Sequence, residues 1–258
     1  MRNFLSFMAS NLSILAIIPA RFASTRFPGK PLVEINGKTM IQRTYEQVNK
    51  LKIWADVIIA TDDIRIKDVA ENFGAKVVMT SAEHVSGTDR CAEVLSKYGD
   101  DVDYVVNIQG DEPFIHPTQL EDLVLGFEKK PELVTLVKKI EDDGTLFNPN
   151  NPKVIIDSTG KAIYFSRQTI PYLRNVPPNE WLSQGVFYKH IGLYAYRSDI
   201  LPKIAHLKPS FLENCESLEQ LRWIENGYQI QTMKTDLETI GIDTPEDLNR
   251  LKSMGFIS

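Results

Sequence analysis

The chain of 258 residues has only two cysteines, Cys91 and Cys215, far apart in sequence and without zinc-type spacing. That is not the pattern of a disulfide framework, and ordinary thiols of a reducing compartment are expected. Histidine is scarce as well: His84, His116, His190 and His206 show no spacing for a zinc site. No stretch approaches the roughly 20 apolar residues of a membrane span. An excess of positive charge is also missing. Lysine and arginine total 29 against 34 aspartates and glutamates, a formal net charge of -5, so bulk attraction to nucleic acid is not expected. At the N-terminus Ser6, Ser10 and Asn11 interrupt the apolar residues. The unbroken core of a signal peptide is therefore absent, and residues 1–12 read as a short flexible extension on a cytoplasmic protein. There is no internal repeat and no low-complexity linker.

What is present is a 43% apolar composition, enough for one large α/β domain or two small ones. Apolar runs at Ile14–Ile18, Asp56–Ala60, Lys76–Met79 and Tyr104–Ile108 read as buried strands, the first stopping at Pro19. Helical periodicity falls between them, from Thr39 to about Leu51, from Ile64 to Phe73 and from Gly87 to about Tyr98. Thr61-Asp62-Asp63 and Ser86 are placed to cap the second and third of these. Strands alternating with helices imply right-handed crossovers and an α/β fold with a mostly parallel sheet. Further on come a helix near Thr118–Lys129 and a strand at Leu133–Val137. Val154–Asp157 and Ala162–Phe165 read as a hairpin, and His190–Tyr196 and Gln229–Met233 as strands. A helix spans Leu218–Asn226, and a last one is capped by Thr244 with Pro245 at its first position. A single domain over 1–258 is expected, with about 133–196 as an inserted region.

In parallel sheets ligands bind at the carboxyl ends of the strands. Three polar loops fall there. The first, Pro19-Ala20-Arg21 to Lys30-Pro31, carries small residues and three cations, Arg21, Arg26 and Lys30. Such a loop suits a polyphosphate, though a solvated basic loop would have the same composition. Three local cations on an acidic chain favour a small anion over a long polyanion. The second loop, Thr80 to Arg90, offers hydroxyls and backbone groups for a base edge, with Arg90 placed to hold the loop. The third, Gln109-Gly110-Asp111-Glu112-Pro113, ends a buried strand in a carboxylate. Asp243 precedes the last helix. Asp111 and Asp243 together suggest a hard cation such as Mg²⁺, because two carboxylates on a polyphosphate otherwise repel; alone, each equally suits a turn or a helix start. Arg167 closes the hairpin, while His190 and Tyr194 stand four apart on one strand and so face one side. An arginine and a histidine there suit a sugar carboxylate, and burial in the core suits His190 and Tyr194 equally well.

Taken together these stretches resemble the 3-deoxy-manno-octulosonate cytidylyltransferase family. The resemblance runs from Leu15 to Leu251 through Ile18-Pro19-Ala20-Arg21, Lys30-Pro31-Leu32, Ala60-Thr61-Asp62 and Ser86-Gly87-Thr88-Asp89-Arg90. It continues through Asn107–Pro113, Tyr164-Phe165-Ser166-Arg167, His190–Tyr194, Leu218–Arg222 and Gly241–Pro245. It implies a three-layer, Rossmann-like and GT-A-like nucleotidyltransferase that forms homodimers with a contribution from the inserted region. The implied reaction joins CTP and the acidic sugar 3-deoxy-manno-octulosonate (Kdo) into CMP-Kdo and pyrophosphate, for lipopolysaccharide. Carried over by motif, Arg21, Arg26 and Lys30 hold the phosphates and Asp111 and Asp243 bind Mg²⁺. Pro19, Ala20, Thr80, Ser86, Gly87 and Arg90 line the cytidine site, and Gln109, Arg167, His190, Tyr194 and Glu219 face the sugar. Departures are small: Ser81 stands where some members carry Arg, and Leu193 and Ala195 replace common Ile and Gly. Enzymes for sialic acid or 8-amino-Kdo would share the nucleotide motifs, a nucleotide-sugar glycosyltransferase would share the sheet, and a non-catalytic nucleotide-binding module is the remaining alternative.

Overall fold

Each apolar run of the first half becomes a strand and each periodic segment a helix. The computed structural model describes residues 11–23, 27–99, 101–238 and 240–253. In chain order come β1 (Ile14–Ala20), β2 (Glu34–Ile35), β3 (Lys38–Thr39), α1 (Met40–Val48), β4 (Asp56–Thr61) and α2 (Ile64–Asn72). Next are β5 (Lys76–Met79), α3 (Gly87–Tyr98), β6 (Tyr104–Asn107), α4 (Pro117–Leu125), β7 (Leu133–Lys139), α5 (Asp143–Phe147), β8 (Lys153–Ile156) and β9 (Ala162–Ser166). The chain ends with α6 (Trp181–Gln184), β10 (Tyr188–Arg197), α7 (Leu201–Ala205), α8 (Phe211–Glu216), α9 (Gln220–Glu225), β11 (Ile230–Lys234) and α10 (Pro245–Ser253). Two compact units emerge, one from the described residues of 1–121 and 239–258, the other from those of 122–238.

The first unit is a parallel sheet in the order β6-β1-β4-β5. Ile14 to Ile18 of β1 are fully buried, the side chains of Ile14, Leu15, Ile17 and Ile18 each worth roughly 2 kcal/mol of transfer free energy. The strand does not stop at Pro19 but pairs through it, with Pro19 opposite Ala60 and Ala20 opposite Thr61. The reason lies in the ladder's alternation. Ile17 faces β6, since its carbonyl accepts from Ile108 N, so Pro19 faces the same side. There the β6 register has already ended at Asn107, and the missing N–H leaves no ladder bond unmade.

The helices start where side chains satisfy their first N–H groups. Thr39 accepts from Gln42 N, Asp63 from Arg65 N, and Ser86 and Asp89 form a reciprocal capping box. α1 ends at Val48, three residues short of the expected Leu51. α10 belongs to this unit: Leu251 and Ile242 pack with Ile35 and Met40, and Thr244 Oγ1 accepts from Asp247 N at 3.2 Å. That packing brings a segment from the far end of the sequence beside the loop after β6.

In the second unit β7 lies between β11, which is parallel to it, and β10, which is antiparallel. β8 and β9 form the expected hairpin. The Asp157 carboxylate accepts from the N–H groups of Thr159 and Lys161, and Gly160 takes the left-handed conformation the turn needs at φ 82°. β10 carries a bulge, because its register with β7 shifts between Ile191 and Tyr194. The α/β class with a mostly parallel sheet is as the sequence predicts. No helix among the described residues is long and apolar enough to cross a membrane.

Candidate active site

The carboxyl ends of β1, β5 and β6 surround a cavity of about 250 Å³. β1 and its loop contribute Pro19, Ala20, Arg21, Lys30 and Pro31. The loop after β5 and the start of α3 contribute His84, Val85, Ser86, Gly87 and Arg90. Gln109, Gly110 and Asp111 follow β6, and Asp243 completes the wall.

Lys30 sits at the head of a short 3-10 turn, behind Gly29 in the left-handed conformation at φ 72°. Gly29 N donates to Phe22 O at 2.9 Å. The Phe22 ring in turn carries the Arg65 guanidinium 3.4 Å from its centroid. The loop is thus anchored on both sides of residues 24–26; Arg26 lies outside the described residues. The Lys30 ammonium donates to Asp111 Oδ2 at 2.5 Å and to Asp243 Oδ1 at 3.0 Å. Backbone pairing explains how two carboxylates so distant in sequence meet, since Ile242 N donates to Asp111 O at 3.0 Å. Asp247 Oδ2 then fixes the next two N–H groups, those of Asp243 and Thr244. Gly110 is required by close approach: a Cβ there would stand 2.8 Å from the Pro19 carbonyl oxygen.

Arg90 is buried and spends its guanidinium on structure. It donates to Thr80 Oγ1 at 2.7 Å, to Ser81 O at 3.2 Å and to Asp62 Oδ2 at 2.8 Å. Thr80 itself is not on the cavity wall; its hydroxyl is Arg90's acceptor. Ser86 and Gly87 do line it, with Gly87 packed against Pro19 and Asn107.

Gln109 also belongs to this cavity, whereas the other four sugar-side candidates belong to the second unit. There the rings of His190 and Tyr194 lie 5.3 Å apart despite the bulge. Burial depresses the His190 imidazole to about 3, so it is neutral, bonded through Nε2 to Thr135 Oγ1 at 3.0 Å. Burial, with the charge of Glu219 as a lesser cause, raises the Tyr194 hydroxyl well above the ordinary range. Glu219 immediately precedes α9. Arg167 is held firmly: Glu216 accepts its backbone N–H, and its guanidinium donates to the carbonyls of Glu216, Ser217 and Pro149. Lys153 is fully buried beneath it and donates to Arg167 O at 2.8 Å and Asn148 O at 3.0 Å. Burial lowers the pKa of that ammonium.

A family model described as Cytidylyltransferase matches residues 15–236. A 3-deoxy-manno-octulosonate cytidylyltransferase of Cytophaga hutchinsonii is 59% identical, covering 95% of this chain and 98% of that one. Its counterpart in Parabacteroides distasonis is 53% identical over 96% of this chain and 99% of its own. Among solved structures, a CMP:2-keto-3-deoxy-manno-octonic acid synthetase complexed with CTP superposes with a TM-score of 0.86 at 39% identity, covering 95% of this chain and 98% of that chain. The chain belongs to the 3-deoxy-manno-octulosonate cytidylyltransferase family. A 4-diphosphocytidyl-2C-methyl-D-erythritol synthase from Anaerococcus prevotii shares the fold with a TM-score of 0.64 at 16% identity, covering 97% of this chain and 99% of that chain.

For this cytidylyltransferase, the structure adds wall residues that the sequence reading did not single out: His84, Val85, Gly110 and Pro31. Each sits inside a stretch that was singled out, between or beside named positions. Asp62, Lys153 and Glu216 are the supporting groups that spacing alone did not assign.

Proposed function

We propose that the enzyme transfers the cytidylyl group of CTP to Kdo, releasing pyrophosphate and activating the sugar for lipopolysaccharide synthesis in the cytoplasm. The observation that carries this reading is the Lys30 ammonium held between Asp111 and Asp243 on the wall of a cavity at the strand ends. A triphosphate needs cations, supplied by Arg21, Arg26 and Lys30, the guanidinium groups matching phosphate oxygens in pairs. The anomeric hydroxyl of Kdo gives its proton to water as its oxygen bonds to the α-phosphorus. The bond from that phosphorus to the bridging oxygen breaks, and pyrophosphate leaves on the opposite side. No covalent nucleophile is required, so the chain's contribution is positioning and charge neutralisation.

The donor set fits Mg²⁺. Asp111 and Asp243 offer hard carboxylate oxygens converging on one cation, and Mg²⁺ commonly takes one or two carboxylates plus substrate phosphates. No group of three or more His, Cys, Asp or Glu among the described residues forms a cage by itself, which suits an ion that arrives with the nucleotide. Bound there, Mg²⁺ would neutralise charge at the reacting phosphate. Before that, Lys30 does this for the two carboxylates. Pro19, Ala20, Ser86 and Gly87 border the nucleoside, with Thr80 and Arg90 holding their loop. Gln109 on the cavity wall binds Kdo; within the second unit Arg167, His190, Tyr194 and Glu219 are the sugar-side groups, the neutral His190 suited to hydroxyls rather than to a carboxylate. The working form is a homodimer.

The test is pyrophosphate release from CTP, Mg²⁺ and Kdo, against sialic acid, 8-amino-Kdo and the other nucleoside triphosphates. Release confined to CTP with Kdo is expected. Release with a different sugar acid moves the substrate, and no release with any pair from folded protein overturns the reaction.

A further inference from the structure

Three charged side chains along α3 fasten the loop that walls the cavity. Lys97 Nζ donates to Met79 O at 2.8 Å, and Arg90 Nη1 to Thr80 Oγ1 and Ser81 O. Between them Glu93 accepts from Ser81 N at 2.8 Å, from Lys97 Nζ at 2.5 Å and from His84 Nε2 at 2.5 Å. Glu93 does not line the cavity; His84 does. Burial alone would raise the Glu93 carboxyl, but the Lys97 ammonium, the Ser81 N–H and the His84 ring outweigh it and hold its pKa at about 2. It is therefore a carboxylate at neutral pH and can only accept. The bond between Glu93 and His84 therefore uses the proton on His84 Nε2, which leaves Nδ1 as the ring nitrogen open to a ligand. Among the described residues no hydrogen bond uses that nitrogen. Lys30, Asp111 and Asp243 mark the phosphate end of the cavity, which leaves the wall after β5 to the base.

We infer that His84, oriented by Glu93, reads the nucleobase, its Nδ1 accepting a hydrogen bond from the exocyclic amine of cytosine. The inference rests on reading the cavity as a CTP site. Cytosine presents an amino donor where uracil, like thymine, presents a carbonyl acceptor. Against His84 the uracil oxygen meets a second lone pair, and an unmade buried hydrogen bond costs about tenfold in affinity or more. Glu93 touches no nucleotide; it is a positioning residue that sets the tautomer of the ring that does.

The experiment is calorimetric titration of CTP and of UTP into the wild-type protein, His84→Phe and Glu93→Gln, without sugar. The wild type is expected to prefer CTP by about tenfold or more, and His84→Phe to lose most of that preference. Glu93→Gln should keep most of it, because the amide oxygen, held in place by the Ser81 N–H, still accepts from Nε2. Phenylalanine keeps the ring volume, so His84→Phe decides the matter if the Glu93 variant does not fold. An unchanged CTP-to-UTP ratio in folded His84→Phe overturns the inference, as do equal weakening of both nucleotides and a wild type indifferent between them. Turnover with CTP and Kdo on the same sample tests the proposed reaction separately, since the binding ratio is decided without sugar.

Discussion

Lys30 holds together two carboxylates that would otherwise repel. Their side chains are 30% and 50% exposed, so the pair is solvent-screened and worth about 1 kcal/mol or less to the fold. Its weight falls on catalysis. Lys30→Ala is expected to melt close to the wild-type temperature while kcat/KM for CTP falls about 100-fold or more; steady-state kinetics with near-normal turnover would refute the phosphate role. His190 makes a different prediction. Its folded-state pKa, about 3, lies below the 6.5 of an ordinary imidazole, so the unfolded chain takes up the proton first as pH falls. The stability it contributes is complete above 6.5 and is lost as pH drops from there toward 3, by about 1.4 kcal/mol per unit. Urea denaturation at a series of pH values should show this slope in the wild type and lose about one proton's worth of it in His190→Gln.

At the scale of elements, α3 does two jobs. Its N-terminus, capped by Ser86 and Asp89, borders the cavity, and its Arg90, Glu93 and Lys97 pin the preceding loop. The Arg90 side chain is 4% exposed and its partner Asp62 14%, so the pair is desolvated. Removing one member strands the other: Arg90→Ala is expected to destabilise by about 3 kcal/mol. The Asp62→Ala, Arg90→Ala double variant should cost clearly less than the sum of the singles in a thermodynamic cycle, and strict additivity would contradict the pairing. Arg90→Lys should recover only part, because one ammonium cannot reach Thr80, Ser81 and Asp62 as a fork does.

Across the whole molecule, legibility followed the range of the interactions. β1, β4, β5 and β6 were readable because each is an unbroken apolar run between turn signals, and the loops at their ends followed from parallel order. Pro19 misled because its effect depends on which neighbour the strand faces at that point. Lys30 and Asp243 are 213 residues apart; the place of Asp243 before the last helix made it a candidate, but its meeting with Lys30 depends on the Ile242–Asp111 backbone bond, which no spacing shows. Lys153, just ahead of the Val154–Asp157 run, is fully buried, because carbonyls from two other segments accept its hydrogen bonds. The same long range hides the grip of Glu216 on Arg167.

The most direct test of the reaction is the fate of the α-phosphorus. CTP labelled at that atom, incubated with the protein, Mg²⁺ and Kdo, should place its label in a sugar-linked cytidine monophosphate, with unlabelled pyrophosphate released in equal amount. Label recovered in pyrophosphate, or as free CMP without sugar, would contradict attack by the sugar on the α-phosphorus.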